Sequence, residues 1–185
     1  MNRVTLAIIA FFGAALILYW QVQVKRSSHD ASLDSIDRPD YVVNNLKSVQ
    51  YNEKGNVNSR VSASHMEFYA DKNITYFSKP IYLVYPDKGD AQWRLRSTKG
   101  TLDKNSGRVT LENDVIIDAI SPNEPIQTIE TTYLELDLNT MIMTSDRNIR
   151  ITSRDFFITG QGLQADLNAQ NVRLLSQVEG TYETK

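Results

Sequence analysis

Residues 101–117 read TLDKNSGRVTLENDVII. Asp103 and Asn105 sit two apart in a polar patch that contains Gly107. Short polar side chains cap their own backbone and tolerate unusual dihedral angles, so the patch is a turn. Val109 and Leu111 then alternate with Arg108, Thr110 and Glu112, and a second polar break precedes Val115 and Ile117. Strict alternation puts one face of a strand in a core and the other in water. The spacing predicts strand, turn, strand, turn, strand.

Working outward, the same unit recurs. Asp71-Lys72-Asn73, Asp103-Lys104-Asn105, Asp137-Leu138-Asn139 and Asp166-Leu167-Asn168 are all Asp-x-Asn. Six residues after each Asp stands Phe77, Val109, Met143 or Val172; twelve after stands Leu83, Val115, Ile149 or Val178. The Asp residues are 32, 34 and 29 apart, a period typical of stacked repeats. Val43–Tyr51 and Val57–Ala63, parted by Asn52-Glu53-Lys54-Gly55, form an opening hairpin. Pro86-Asp87-Lys88-Gly89 is a turn, after which Trp93 and Leu95 alternate with Arg94 and Arg96. Residues 121–125, Ser-Pro-Asn-Glu-Pro, break the chain again before Ile129–Leu138. No helical period is evident after residue 40, so the expected fold is all-β, with antiparallel strands stacked along an axis.

The N-terminus differs. From Val4 to Val24 there is no charge, and about 20 apolar residues span the ~30 Å hydrocarbon core of a bilayer. Tyr19 and Trp20 stand at the interfacial position, followed by Lys25 and Arg26. The apolar run exceeds a signal-peptide core of roughly 7–15 residues and no small-x-small pair follows it, so an uncleaved anchor is expected. Residues 1–26 are thus the transmembrane anchor, 27–40 a polar tether and 41–185 one β domain. Arg3 and the terminal amine nearly balance Lys25 and Arg26, leaving orientation open.

The chain holds 20 basic and 22 acidic residues; removing the three basic residues of 1–26 leaves 17 against 22, a net of −5. That excludes a basic nucleic-acid footprint. There is no cysteine, which suits an exported chain without requiring one. His29 lies in the tether and His65 in a strand, with no nucleophile elbow, metal-binding His pair or phosphate loop around them. Each Asp-x-Asn offers one central carboxylate, where a Ca²⁺ loop gathers several, so turns rather than metal sites are expected. The inner rows mix large apolar groups such as Phe77, Met143 and Leu174 with Val109, Val172 and Ser145. Such rows either pack shut or leave a trough.

The order and spacing of several features resemble the LptC family of lipopolysaccharide transport proteins. They are the N-terminal apolar run, the tether, Tyr51 with Gly55, and Asp71 followed by Tyr76-Phe77 and Pro80. Trp93, the 103–115 repeat, Thr144-Ser145, Phe156 and the closing Asn171–Tyr182 continue the match over essentially all 185 residues. The resemblance implies a single-pass bacterial inner-membrane protein, N-terminus cytoplasmic, carrying an open periplasmic β-jellyroll of stacked repeats. It implies that lipopolysaccharide is accepted from an ABC transporter and passed to the soluble bridge protein LptA by end-to-end strand addition. No cofactor and no catalysis are implied. Leu46, Phe77, Val172 and Tyr182 carry over as lipid-lining positions, and Val109, Leu111, Met143, Ile149 and Leu174 extend the same inner rows. Where family members can carry a docking glycine near the end of the 149–152 strand, this chain has Ser153. Asn171, Arg173 and Val178, in the closing segment with Val172, Leu174 and Val178 pointing inward, would form the docking edge.

Two other classes predict different interiors. A carbohydrate-active enzyme with Asp103 and Asp137 as acid and base needs the carboxylates in one cleft. A structural membrane-anchored scaffold needs only a closed core.

Overall fold

The structure is a computed structural model that describes residues 19, 38–85, 93–121, 124–169 and 171–182. The chain divides into two compact units, Met1–Arg38 and Pro39–Lys185. The expected anchor and tether fall almost wholly outside the described residues, as does the 86–89 turn; among the described residues no helix is long and apolar enough to cross a membrane.

The second unit is all-β. Its strands are β1 (Tyr41–Tyr51), β2 (Val57–Tyr69), β3 (Ile74–Ser78), β4 (Ile81–Val84), β5 (Trp93–Arg96) and β6 (Lys99–Asp103). They continue with β7 (Arg108–Ala119), β8 (Thr128–Asp137), β9 (Ile142–Thr152), β10 (Phe156–Asp166) and β11 (Asn171–Tyr182). Every pairing is antiparallel, with β1 and β11 at the two edges. The opening hairpin forms where expected. Asn52 Oδ1 accepts the N–H groups of Lys54 and Asn56, both at 3.0 Å, closing the loop.

Two long strands, β7 and β2, each serve two layers. Residues 108–112 of β7 pair with β6, whereas 116–119 pair with β5. Likewise the first half of β2 pairs with β4 and the second with β3. The switch in β7 is made at Asn113 and Asp114, whose φ values are +61° and +51° and where the register with β8 shifts. This corrects the expectation of a second turn: the polar break is a bulge that bends one continuous strand from one sheet to the other. Asparagine and aspartate tolerate that left-handed backbone better than other side chains. The result is a jellyroll-like pair of facing sheets.

The rows face inward with two exceptions. Phe77, Val109, Met143, Val115 and Ile149 are buried, and Val172 is partly buried. Leu83 is only half-buried, because Lys79 at φ +49° resets the alternation and sends Tyr82 and Val84 inward instead. Val178, expected to point inward, is 57% exposed. Gln177 has φ +50° and the β10–β11 register slips between Thr159 and Gln161, and a one-residue slip exchanges the faces of a strand.

Candidate functional site

The four turns determine how the interior ends. Asp103 Oδ1 accepts the Asn105 N–H at 2.8 Å, Asp137 Oδ1 accepts those of Asn139 (2.8 Å) and Thr140 (3.1 Å), and Asp166 Oδ1 accepts that of Ala169 (2.9 Å). The Ser106 hydroxyl on Asp103, and the Thr140 N–H on Asp137, hold both carboxyls below the usual carboxylate range. Each carboxylate is therefore occupied by its own turn, as the turn chemistry requires.

The turns also stack on one another. Asn105 Nδ2 donates to the Lys72 carbonyl (3.5 Å), Asn139 Nδ2 to Ser106 (3.0 Å) and Asn168 Nδ2 to Thr140 (3.5 Å). Backbone donors run in parallel, from Lys104 to Asn73 (3.1 Å), Leu138 to Gly107 (3.0 Å) and Leu167 to Met141 (3.0 Å). Asp103 and Asp137 thus stand on successive rungs along one side, not across a cleft.

The interior is uneven along the stack. Between β5 and β9 it is closed: Leu95, Val109, Leu111, Ile117, Ile129, Leu134 and Leu136 have no exposed surface. At the end built from β1 to β4 it opens into a cavity of about 440 Å³. Such a volume lies in the range of ligand pockets, roughly 300–1,000 Å³. Leu46, Val49, Val61, Met66, Phe77, Leu102 and Leu138 line it, and Lys104, exposed at its edge, holds its ammonium 3.9 Å from the centre of the Phe68 ring. Phe77 and Tyr82 meet edge to face, their centroids 6.0 Å apart. The hydroxyls of Tyr82 and Thr75, both on this wall, are buried without a hydrogen-bond partner. Burial pushes the Tyr82 phenol far above its ordinary pKa.

The proposed lining residues distribute as follows. Leu46 and Phe77 meet in the large cavity. Met143 and Val172 border a space of only about 60 Å³ further along, with Trp93, Ile126 and Leu167. Val109, Leu111 and Ile149 lie in the closed core and Leu174 packs against it. Tyr182 pairs with Phe156 at the end of β11. Asn171 and Arg173 are exposed on the β11 edge. Ser153 lies elsewhere, in the β9–β10 turn at the opposite end of β10 from Asn171, donating its hydroxyl to the Pro125 carbonyl (2.5 Å).

Val61, Met66, Leu102 and Leu138 went unnoticed in the sequence. One signal could have found Leu138. The middle residue of Asp-x-Asn is Lys72, Lys104, Leu138 or Leu167, and an apolar side chain in a polar turn marks a position turned inward. Both leucines are buried, at 4% and 2% exposure.

A stack of antiparallel strands with self-capped turns, an apolar cavity and an unpaired edge strand defines an open β-jellyroll of stacked repeats. A solved structure of this kind is LptH from Pseudomonas aeruginosa, described as the LptA-homologous periplasmic component of the lipopolysaccharide transport device. It is similar with a TM-score of 0.51 at 10% identity, over 68% of this chain and 95% of that one, which establishes the shared fold. Residues 6–183 match the family described as lipopolysaccharide-assembly, LptC-related, and the chain belongs to that family. The lipopolysaccharide export system protein LptC of Escherichia coli K12 is 24% identical, over 78% of this chain and 75% of that protein. Its counterpart in Haemophilus influenzae is 24% identical over 92% and 90%. As a family member this chain is a non-enzymatic component of lipopolysaccharide transport.

Proposed function

We propose that the protein is a membrane-anchored lipid carrier: residues 1–26 span the bacterial inner membrane with the N-terminus cytoplasmic, 27–40 tether, and 41–185 work in the periplasm. The β1–β4 end accepts lipopolysaccharide acyl chains from an ABC transporter, and the β11 end passes them to LptA. The observation that carries this is the apolar-lined cavity at Leu46 and Phe77, at the end of the stack that holds β1, the first strand of the domain. Each buried CH₂ is worth about 0.8 kcal/mol, so acyl chains cannot cross water uncovered. Movement past Val109, Leu111 and Ile149, and on to Met143, Val172, Leu174 and Tyr182, requires the two sheets to part, because the middle of the stack is packed shut. Energy for that comes from the transporter's ATP hydrolysis.

Site-specific photocrosslinking tests it. A photoreactive residue at Leu46 or Phe77 should label lipopolysaccharide, and one at Arg108 or Glu112, on the wet face, should not. Equal labelling from both faces rules out an internal route. No labelling anywhere reduces the protein to a scaffold.

A further inference from the structure

The ladder of turns is closed at one end and unfinished at the other. In the second, third and fourth turns, the N–H of the residue after Asp donates to the turn before: Lys104 to Asn73, Leu138 to Gly107, Leu167 to Met141. In the first turn that donor, the Lys72 N–H, goes to the turn's own Asp71 Oδ1 at 2.8 Å. The neighbouring Ala70 N–H is taken by Asp40 Oδ2 at 2.6 Å. The first turn therefore offers no rung to a preceding unit. At the other end the pattern runs on. Asn139 and Asn168 donate to the third residue after the preceding turn's Asp, Ser106 and Thr140. In the last turn that position is Ala169, whose carbonyl accepts no such amide among the described residues.

We propose that the Asp166–Ala169 turn is a second docking surface, distinct from the β11 edge, for a β-jellyroll of the same repeat. The partner's first turn stacks on this one and its side-chain amide donates to the Ala169 carbonyl. This rests on the reading that a soluble bridge protein adds to β11, and deepens it. Strand pairing alone specifies the register weakly, since a two-residue slide would keep the hydrogen-bond pattern and the facing of every side chain at the cost of the terminal pairs. A rung at a fixed place selects one register, so that the partner's interior continues this one. The closed first turn gives the stack polarity: the partner is admitted at the far end and a second copy of this chain cannot add its own first turn there.

Affinity for LptA, measured with the full chain in detergent, separates the two surfaces. Asp166→Ala frees the Ala169 N–H from its acceptor and lets the turn carbonyl swing, and should weaken binding about tenfold, the scale of one or two lost hydrogen bonds. Asp166→Asn keeps an acceptor oxygen and should restore it. Asp137→Ala makes the same change one rung inward and should leave affinity within about twofold. Independently of folding effects, the Ala169 carbonyl ¹³C resonance should move on adding LptA while that of Ser106 stays. Equal losses in Asp166→Ala and Asp137→Ala, or no loss in either with an unmoved Ala169 resonance, overturn the proposal. If Ser176→Pro in β11 also leaves binding intact, the strand-addition reading itself fails.

Discussion

The Phe77 and Tyr82 rings, one from β3 and the other from β4, meet edge to face across the two sheets with centroids 6.0 Å apart. Both rings line the β1–β4 cavity, and the chemistry of the contact is asymmetric. The Tyr82 ring is 2% exposed and its hydroxyl has no partner, next to a Thr75 hydroxyl in the same state. An unsatisfied buried hydroxyl costs roughly 1–3 kcal/mol, so the closed arrangement is held below its attainable stability beside the cavity.

Tyr82→Phe keeps the ring and removes the orphaned group. Chemical denaturation should show the variant about 1 kcal/mol more stable than the parent. A loss of stability would mean that the phenol has a partner, such as a buried water. Should the hydroxyl assist opening, the same variant would also hand lipid on more slowly.

Gly107→Ala should break a rung. Gly107 has φ +71°, where an alanine costs roughly 1–2 kcal/mol, and its Cβ would lie 2.7 Å from Asn139 Nδ2. The equivalent residue one turn on is Met141, also left-handed at φ +58°, and the rung above it is longer, 3.5 Å against 3.0 Å. Glycine thus lets the Asn139 rung close. A melting temperature unchanged in Gly107→Ala would show that the ladder adds nothing to stability.

Acid should loosen the turns in a defined window. The Asp137 carboxyl titrates lower in the folded protein than in the unfolded chain, chiefly through the Thr140 N–H. Its contribution is therefore complete above the unfolded carboxylate pKa of about 4 and is lost as pH falls through the lower folded value. Asp137→Ala should cost about 1 kcal/mol at pH 7 and flatten the stability profile below pH 4. Asp103→Ala should act in the same direction. EDTA should leave both melting curves unmoved, since each carboxylate serves its own turn; a large shift would reinstate a metal.

Removing everything after Asn168, or placing proline at Arg173, should abolish binding to LptA. Copurification with the transporter should survive, because the proposed transporter contact lies at the other end. Arg173 pairs with Gln164 on β10 and lies on the exposed edge, where proline removes a backbone donor. Wild-type affinity in the truncated protein would refute end-to-end docking.

What the sequence determined by itself was local and periodic. Asp-x-Asn followed by alternating residues dictates turns and inward rows, because capping and a period of two need only near neighbours; Phe77, Val109, Met143 and Ile149 accordingly face inward. Tertiary structure alone decided whether a polar break turns the chain or bends it. At Asn113 and Asp114 the chain cannot reverse, since residues on both sides stay paired with β8 while their other neighbours change from β6 to β5. Local chemistry is the same in both cases, and only the partners differ. The same holds for Val178, whose fate followed a slip against β10. It holds also for the interior, packed tight at Leu111 yet open beside Phe77. Space between two sheets depends on which rows oppose each other, and no single row carries that information.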